Sequence, residues 1–333
     1  MRLLVLGGSL FVGRGIVADA LARGWEVTVF NRGRSGTDLP GAKVIHGDRW
    51  NRADLERLAA SGPWDAVVDV SGYVPRNVLE AASVLEPATG RYLFISTLSA
   101  YQGWPIEPLS EASPILECPP DADDTFGEDV KDGPSRYGYQ KAGCERAVLQ
   151  VFGPGRSTVL RLGVVLGPEE YVGRLPWWLL RIAEGGRVVA PERSDRSIQP
   201  VDARDVAEFA ADALARSLDG AFNVAGSGEA TFGDFLGACV KATGSDAELV
   251  WTPSDVLTDH GVRQWNELPL WRTTPGTWNT SSAKARAAGL TTRPIADTVA
   301  DTWTWVTESG LTRDQIPEDM GIAPEKERRI LDR

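Results

Sequence analysis

Short runs of aliphatic and β-branched residues alternate, through the first half of the chain, with stretches whose apolar residues recur at helical spacing. That is the pattern of repeated strand–helix–strand units around a parallel sheet. Residues 3–6, 26–30, 43–46, 66–70, 92–96 and 158–162 read as strands. Between the first two, Val12, Ile16, Ala20 and Leu21 share one helical face that would pack on the sheet. A second helix is expected through Asp54, Leu55, Leu58 and Ala59. A longer one begins near Tyr137 and carries Ala142, Cys144, Ala147, Val148 and Val151.

Residues 110–134 break this rhythm. They are rich in Pro, Asp and Glu without an apolar period, so they read as a long surface loop. Such a loop inside a compact domain is usually functional or mobile. Beyond Gly167 the texture changes and tryptophans accumulate: Trp177, Trp178, Trp251, Trp265, Trp271, Trp278, Trp303 and Trp305. The expected division is a first domain over residues 1–165, with 197–224 returning to it, and a smaller substrate-binding domain over 166–196 and 225–310. Residues 311–333 read as a polar tail with one short helix, Pro324–Leu331. The sequence has no internal repeat.

Composition narrows the class. With 42% hydrophobic and 24% charged residues the chain has ordinary globular chemistry, and 333 residues suit one large or two interlocked α/β domains. The net charge of −11 argues against nucleic acid or an anionic membrane as partner, since both select for basic surfaces. A small-molecule substrate is expected instead, and a homodimer is compatible with this. Cys118, Cys144 and Cys239 show neither metal spacing nor an even-numbered framework, and read as reduced structural thiols. With His46 and His260 as the only histidines, no metal site is expected and a Ser-His-Asp hydrolase is disfavoured. The apolar run at residues 3–6 is too short for a signal peptide, and no stretch approaches the ~20 apolar residues of a membrane span. The expected location is cytoplasmic.

The first strand leads into Gly7-Gly8-Ser9-Leu10-Phe11-Val12-Gly13, which opens a helix. This is the context of a dinucleotide site in a Rossmann fold, an α/β doubly wound parallel sheet. Glycines allow the tight turn, and N–H groups at the helix start favour a pyrophosphate. A ligand-free turn is the bland alternative. The second strand ends in Phe30-Asn31-Arg32-Gly33-Arg34. An NAD-selective site usually places a carboxylate here for the adenosine ribose. Asn31 removes it, and Arg32 or Arg34 can pair with a 2′-phosphate. NADP is therefore the expected cofactor, with NAD the alternative if the arginines are only a solvated turn. Asp48 is placed to meet the adenine amino group, and Ser71 and Gly72 lie where the chain passes the nicotinamide ribose.

Tyr137-Gly138-Tyr139-Gln140-Lys141 puts Tyr137 and Lys141 one helical turn apart on one face. A free tyrosine titrates near pH ~10 and is a poor base, but a neighbouring ammonium and a positive nicotinamide ring favour its phenolate. As an isolated pair this spacing is surface decoration; downstream of a dinucleotide loop and the fifth strand it points to proton transfer. Thr97, at the end of that strand, carries a hydroxyl that can orient a substrate oxygen against Tyr137, with Ser96 and Ser99 as competitors.

The run GGSLFVG, Asp48, the Ser96-Thr97 pair with Tyr101 four residues after Thr97, YGYQK and RLGVVLGP together resemble the extended and atypical short-chain dehydrogenase/reductases, including the NAD-dependent epimerase/dehydratase family. The resemblance spans residues 1–215, with weaker similarity through SSAKARAAGL and the helix near Asp297 to Val306. It implies a triad of Thr97, Tyr137 and Lys141, and a substrate pocket bordered by Arg196, Gln199 and residues 202–207. Two departures stand out: Leu10 takes the place of the loop's usual middle glycine, and Leu162-Gly163 follows Arg161 where relatives often have Arg-Pro, near the nicotinamide carboxamide. Tyr73, Ser99, Trp104, Tyr139 and Trp177 are candidates to line the site of a ring-bearing ligand, with core packing the alternative for the aromatics. The expected function is hydride transfer to or from a secondary alcohol or ketone of a small polar substrate. Epimerisation of a sugar or nucleoside-like substrate through a transient ketone is the alternative. A non-catalytic cofactor-sensing scaffold is the third reading.

Overall fold

The computed structural model describes residues 1–34 and 38–332, which form two compact units. The first comprises residues 1–163, 203–225 and 279–291; the second comprises 164–202, 226–278 and residues from 292 onward.

The first unit is built on a seven-stranded sheet. Its strands are β1 (Arg2–Leu6), β2 (Glu26–Asn31), β3 (Lys43–His46), β4 (Trp64–Asp69), β5 (Thr89–Thr97), β6 (Ser157–Leu162) and a last strand, Gly220–Val224. Every neighbouring pair is parallel, in the spatial order β3-β2-β1-β4-β5-β6 followed by Gly220–Val224. Leu3, Leu4, Val5, Val67, Val68, Leu93 and Phe94 are wholly buried, as strands covered on both faces require. Helices α1 (Phe11–Ala22), α2 (Arg52–Ala60), α3 (Pro75–Leu85) and α4 (Arg136–Phe152) supply connections and cover. Cys144, Ala147 and Val148 of α4 share one core cluster with Val78, Ala81 and Leu85 of α3. This is the doubly wound Rossmann sheet. Strand order reverses at β1, between β2 and β4, and open sheets of this kind bind ligands at the carboxyl ends beside that reversal.

Two segments depart from the expected division. Residues 203–225 return to the first unit, whereas 197–202 stay with the second. Residues 279–291, expected in the substrate domain, belong to the first unit. They are stitched there by the Leu109 N–H donating to Asn279 O at 2.9 Å and by Lys284 Nζ donating to Ala221 O at 2.7 Å.

The second unit packs helices Arg174–Ala183, Phe232–Thr243, Ile295–Ser309 and Pro324–Leu331 with a parallel strand pair, Arg187–Pro191 and Glu248–Thr252. Trp177 and Trp178 meet edge to face, centroids 4.8 Å apart, and the Trp178 indole N–H donates to Pro269 O at 2.9 Å. The segment expected as a polar tail is part of this fold. Ile322, Ile330 and Leu331 join the core, and Arg181 Nε meets the buried Glu327 carboxylate at 2.8 Å. The short helix Pro324–Leu331 forms as expected, but its many polar residues hid that Ile330 and Leu331 are buried against the core.

Candidate active site

The glycine loop is shaped by close approach. Gly7 and Gly8 have φ of +106° and +94°, a region that side chains resist. A Cβ on Gly7 would come 2.5 Å from Val70 Cγ2, and one on Gly13 would come 2.9 Å from the same methyl. Leu10 sits at φ −134°, ψ 145°, an extended conformation open to any residue, and its side chain is 44% exposed. The missing middle glycine therefore creates no backbone conflict. Helix α1 starts at Phe11 with no side-chain cap, leaving first-turn N–H groups for an anion. Glycines that bring β1, Val70 and α1 together, beside an uncapped helix start, fit a dinucleotide. Ser9 and Gly13 are buried, and Val12 is half-buried.

Beyond β2, the Asn31 amide shapes the turn. Its Nδ2 donates to Asp38 at 2.7 Å and its Oδ1 accepts from the Gly33 N–H at 2.8 Å. Arg32 and Arg34 flank that glycine and are exposed. Asp48 Oδ1 accepts from the Trp50 N–H at 3.0 Å. Ser71 donates its hydroxyl to Leu6 O at 3.1 Å, tying the end of β4 to β1. At the end of β6, Leu162 is buried and the Gly163 N–H donates to Val224 O at 2.9 Å.

Helix α4 delivers Tyr137 and Lys141. The Ser135 hydroxyl caps it by accepting from the Gly138 N–H at 3.2 Å. Gly138 lets the helix start abut the turn after β5, because a Cβ there would collide with Ser99 O. Thr97, closing β5, accepts from the Ser99 N–H through its hydroxyl at 3.2 Å. Tyr137 is 46% exposed, with its ring centroid 6.5 Å from that of the exposed Tyr73. One turn on, Lys141 is only 3% exposed. Its ammonium donates to Gly72 O at 2.8 Å and Ile95 O at 2.6 Å, and lies 4.1 Å from the Phe94 ring centroid. Burial depresses the Lys141 pKa, and the negative charges of Asp69 and Glu145 work against that. Tyr73 lies 5.4 Å from the same ammonium.

Two buried networks near these residues were not read from the sequence as networks, although Ser96, Tyr101 and Arg161 stand in its motifs. In one, Arg49 pairs with Asp69. In the other, Glu145 meets Arg161 at 2.7 Å and accepts from the Ser96 hydroxyl, while Arg161 also donates to the Tyr101 hydroxyl at 2.9 Å. The cue to the pairing was a charged residue inside an apolar strand, as Asp69 is in β4 and Arg161 in β6.

Other expected residues fall elsewhere. Tyr139 packs with Ala100, Leu116 and Ala142 and edge-on to Phe126, fastening the acidic loop rather than facing outward. Trp104 packs on Leu98, Tyr101 and Leu109. Trp177 is corrected outright: at 2% exposure, with Gly321 pressed against its indole, it is a core residue of the second unit. Arg196 and Gln199 also belong to the second unit, Arg196 donating to Thr274 O at 3.2 Å and Gln199 to Gly226 O at 3.3 Å. Among the described residues no group of His, Cys, Asp or Glu is arranged to hold a metal ion, and no helix is long and apolar enough to cross a membrane.

The doubly wound sheet, this glycine loop and the Tyr-x-x-x-Lys pair beside β5 are the features by which the chain resembles the short-chain dehydrogenase/reductases. The family model of the NAD dependent epimerase/dehydratase family matches residues 3–225, and the chain belongs to that family. It is 31% identical over 199 residues to 2'-dehydrokanamycin reductase of Streptomyces kanamyceticus, covering 57% of this chain and 51% of that protein. It is 25% identical over 261 residues to chloroplast stem-loop binding protein of 41 kDa b of Arabidopsis thaliana, covering 73% of this chain and 63% of that one. The matches thus span between half and two thirds of these relatives' length. The fold resembles the crystal structure of the Bordetella bronchiseptica enzyme WbmG in complex with NAD and UDP, with TM-score 0.69 and 20% identity over 97% of this chain and 99% of that one.

Proposed function

We propose that this protein is an NADP-dependent reductase or dehydrogenase acting on a ketone or secondary alcohol of a small, polar, ring-bearing substrate. The observation that carries the reading is the Lys141 ammonium, pinned between the Gly72 and Ile95 carbonyls one helical turn from an exposed Tyr137. The bound nicotinamide would supply or accept the hydride. Tyr137 gives its hydroxyl proton to the carbonyl oxygen in reduction and takes it back in oxidation. Lys141 keeps a positive charge beside the developing phenolate, and Thr97 orients the substrate oxygen. Tyr73 and Ser99 are the proposed substrate contacts on the first unit. Gly7, Ser9 and Gly13 would hold the pyrophosphate, Asp48 the adenine, and Arg32 with Arg34 the 2′-phosphate.

A relative named as a reductase supports the redox direction. A stem-loop binding protein also stands among the relatives, but a net charge of −11 opposes RNA binding here. Three buried cysteines, Cys118, Cys144 and Cys239, support a reducing, cytoplasmic setting. The test is loss of NADPH absorbance over a panel of cyclic ketones, including oxidised amino sugars. Turnover that depends on added NADPH supports the proposal. Stoichiometric nicotinamide released on denaturation, with turnover needing none added, would establish epimerisation instead.

A further inference from the structure

Asp69 ends β4 with its side chain wholly buried, and Arg49 grips it through two parallel bonds, Nη1 to Oδ1 and Nη2 to Oδ2, at 2.8 Å each. The Tyr92 hydroxyl donates to Oδ2 at 2.9 Å and the Ser71 N–H to Oδ1 at 3.1 Å. Arg49 also reaches the Ser71 hydroxyl at 3.2 Å. This pair and its partners therefore fasten the turn that runs from Asp69 to Gly72. A Cβ on Gly72 would stand 2.9 Å from Asp69 Oδ2, so the carboxylate lies directly against that residue. The carbonyl of Gly72 is the one that receives the Lys141 ammonium.

A buried ion pair is a weak source of stability, because desolvation offsets much of the attraction and apolar replacements of the whole pair are often neutral. What a leucine in its place would not supply is fixed geometry and a charge. Lys141 is faced by Asp69, Arg49 and Tyr73 from the carboxyl ends of the sheet, by Phe94 on β5, and by Cys144 and Glu145 on its own helix, where Tyr137 stands one turn before it. Burial pushes the Cys144 thiol up to about 12, so it stays neutral, and Glu145 is matched by Arg161. Asp69 acts on Lys141 more strongly than Arg49 opposes it.

We propose that the Arg49–Asp69 pair is a positioning device for Lys141, fixing the turn that presents the Gly72 carbonyl and holding an anion where it favours the protonated amine. Its catalytic meaning rests on reading Lys141 as the partner of Tyr137. Neither Arg49 nor Asp69 is a catalytic residue in this scheme; both act through Lys141.

The chain has six lysines, so an NMR titration of protein carrying isotope-labelled lysine can follow each one, with the Lys141→Met spectrum assigning the signal. Asp69→Asn keeps the side chain's shape and leaves Arg49 unbalanced. It should lower the Lys141 midpoint by about one pH unit or more. Because an unpaired buried guanidinium can unfold the protein, Asp69→Asn combined with Arg49→Met is the second arm. There the midpoint still falls, by less, because the repulsion from Arg49 is gone as well. A merely structural role predicts the opposite sign, since a loosened turn admits water and raises the midpoint towards the ordinary value of 10.5. An unchanged or raised midpoint in the double variant overturns the proposal. The titration needs neither substrate nor cofactor, so its outcome stands apart from whether Tyr137 proves to be the proton donor.

Discussion

Gly138 lies so close beneath the carbonyl oxygen of Ser99 that no methyl group fits between them. That contact sets how near α4 comes to the end of β5, and so where Tyr137 stands relative to Thr97. Gly138→Ala should therefore lower stability by about 1–3 kcal/mol, as overpacking against backbone does. It should also cut turnover by ~10-fold or more, because small displacements of a reacting group are costly. Urea unfolding and steady-state turnover check both. A variant with unchanged turnover would show that the contact does not position Tyr137.

The phosphate end of the cofactor gives a second prediction. Asn31 spends its amide on Asp38 and the Gly33 N–H, and Arg32 and Arg34 stand exposed on the turn that follows β2. Calorimetry should find NADPH binding more tightly than NADH, and Arg32→Ala should weaken NADPH alone. Equal affinities for the two in the wild type would make NAD the cofactor and Arg32 a solvated turn residue.

The sheet and the Tyr137/Lys141 spacing were legible in the sequence for a physical reason. Strands buried on both faces must be continuous apolar runs, and a pair on one helical face must be four residues apart. Gly220–Val224 was not picked out as a strand, because its Asn223 interrupts the apolar run to bond the Tyr101 hydroxyl at 2.7 Å. Arg49 and Asp69 escaped because a buried ion pair joins positions twenty apart, and no local period records it. Trp177 misled for a different reason. An aromatic ring serves a core or a pocket with the same chemistry, and only its neighbours decide between them.

Stability should carry a signature of Glu170. Its carboxyl is buried, accepts from the Arg174 and Leu175 N–H groups at 2.9 and 3.1 Å, and is pushed up from 4.5 to about 7 by burial. The folded value lies above the unfolded one, so the folded state binds the extra proton between them. The stability this contributes is full below 4.5 and is lost as pH rises through about 7. The difference in unfolding free energy between wild type and Glu170→Gln should shrink across that window by on the order of 3 kcal/mol. A difference independent of pH would mean that Glu170 stays ionised in the fold.

The central claim is that Tyr137 moves the substrate proton with Lys141 fixed behind it. Tyr137→Phe keeps the ring against Tyr73 and removes only the hydroxyl. The decisive measurement is turnover of this variant on whichever carbonyl the wild type reduces, alongside its calorimetric affinity for NADPH. Turnover should fall by at least ~10²-fold, the low end for acid–base catalysis, while affinity stays near that of the wild type. A variant that keeps near-full turnover would contradict the assignment of Tyr137 as the proton donor.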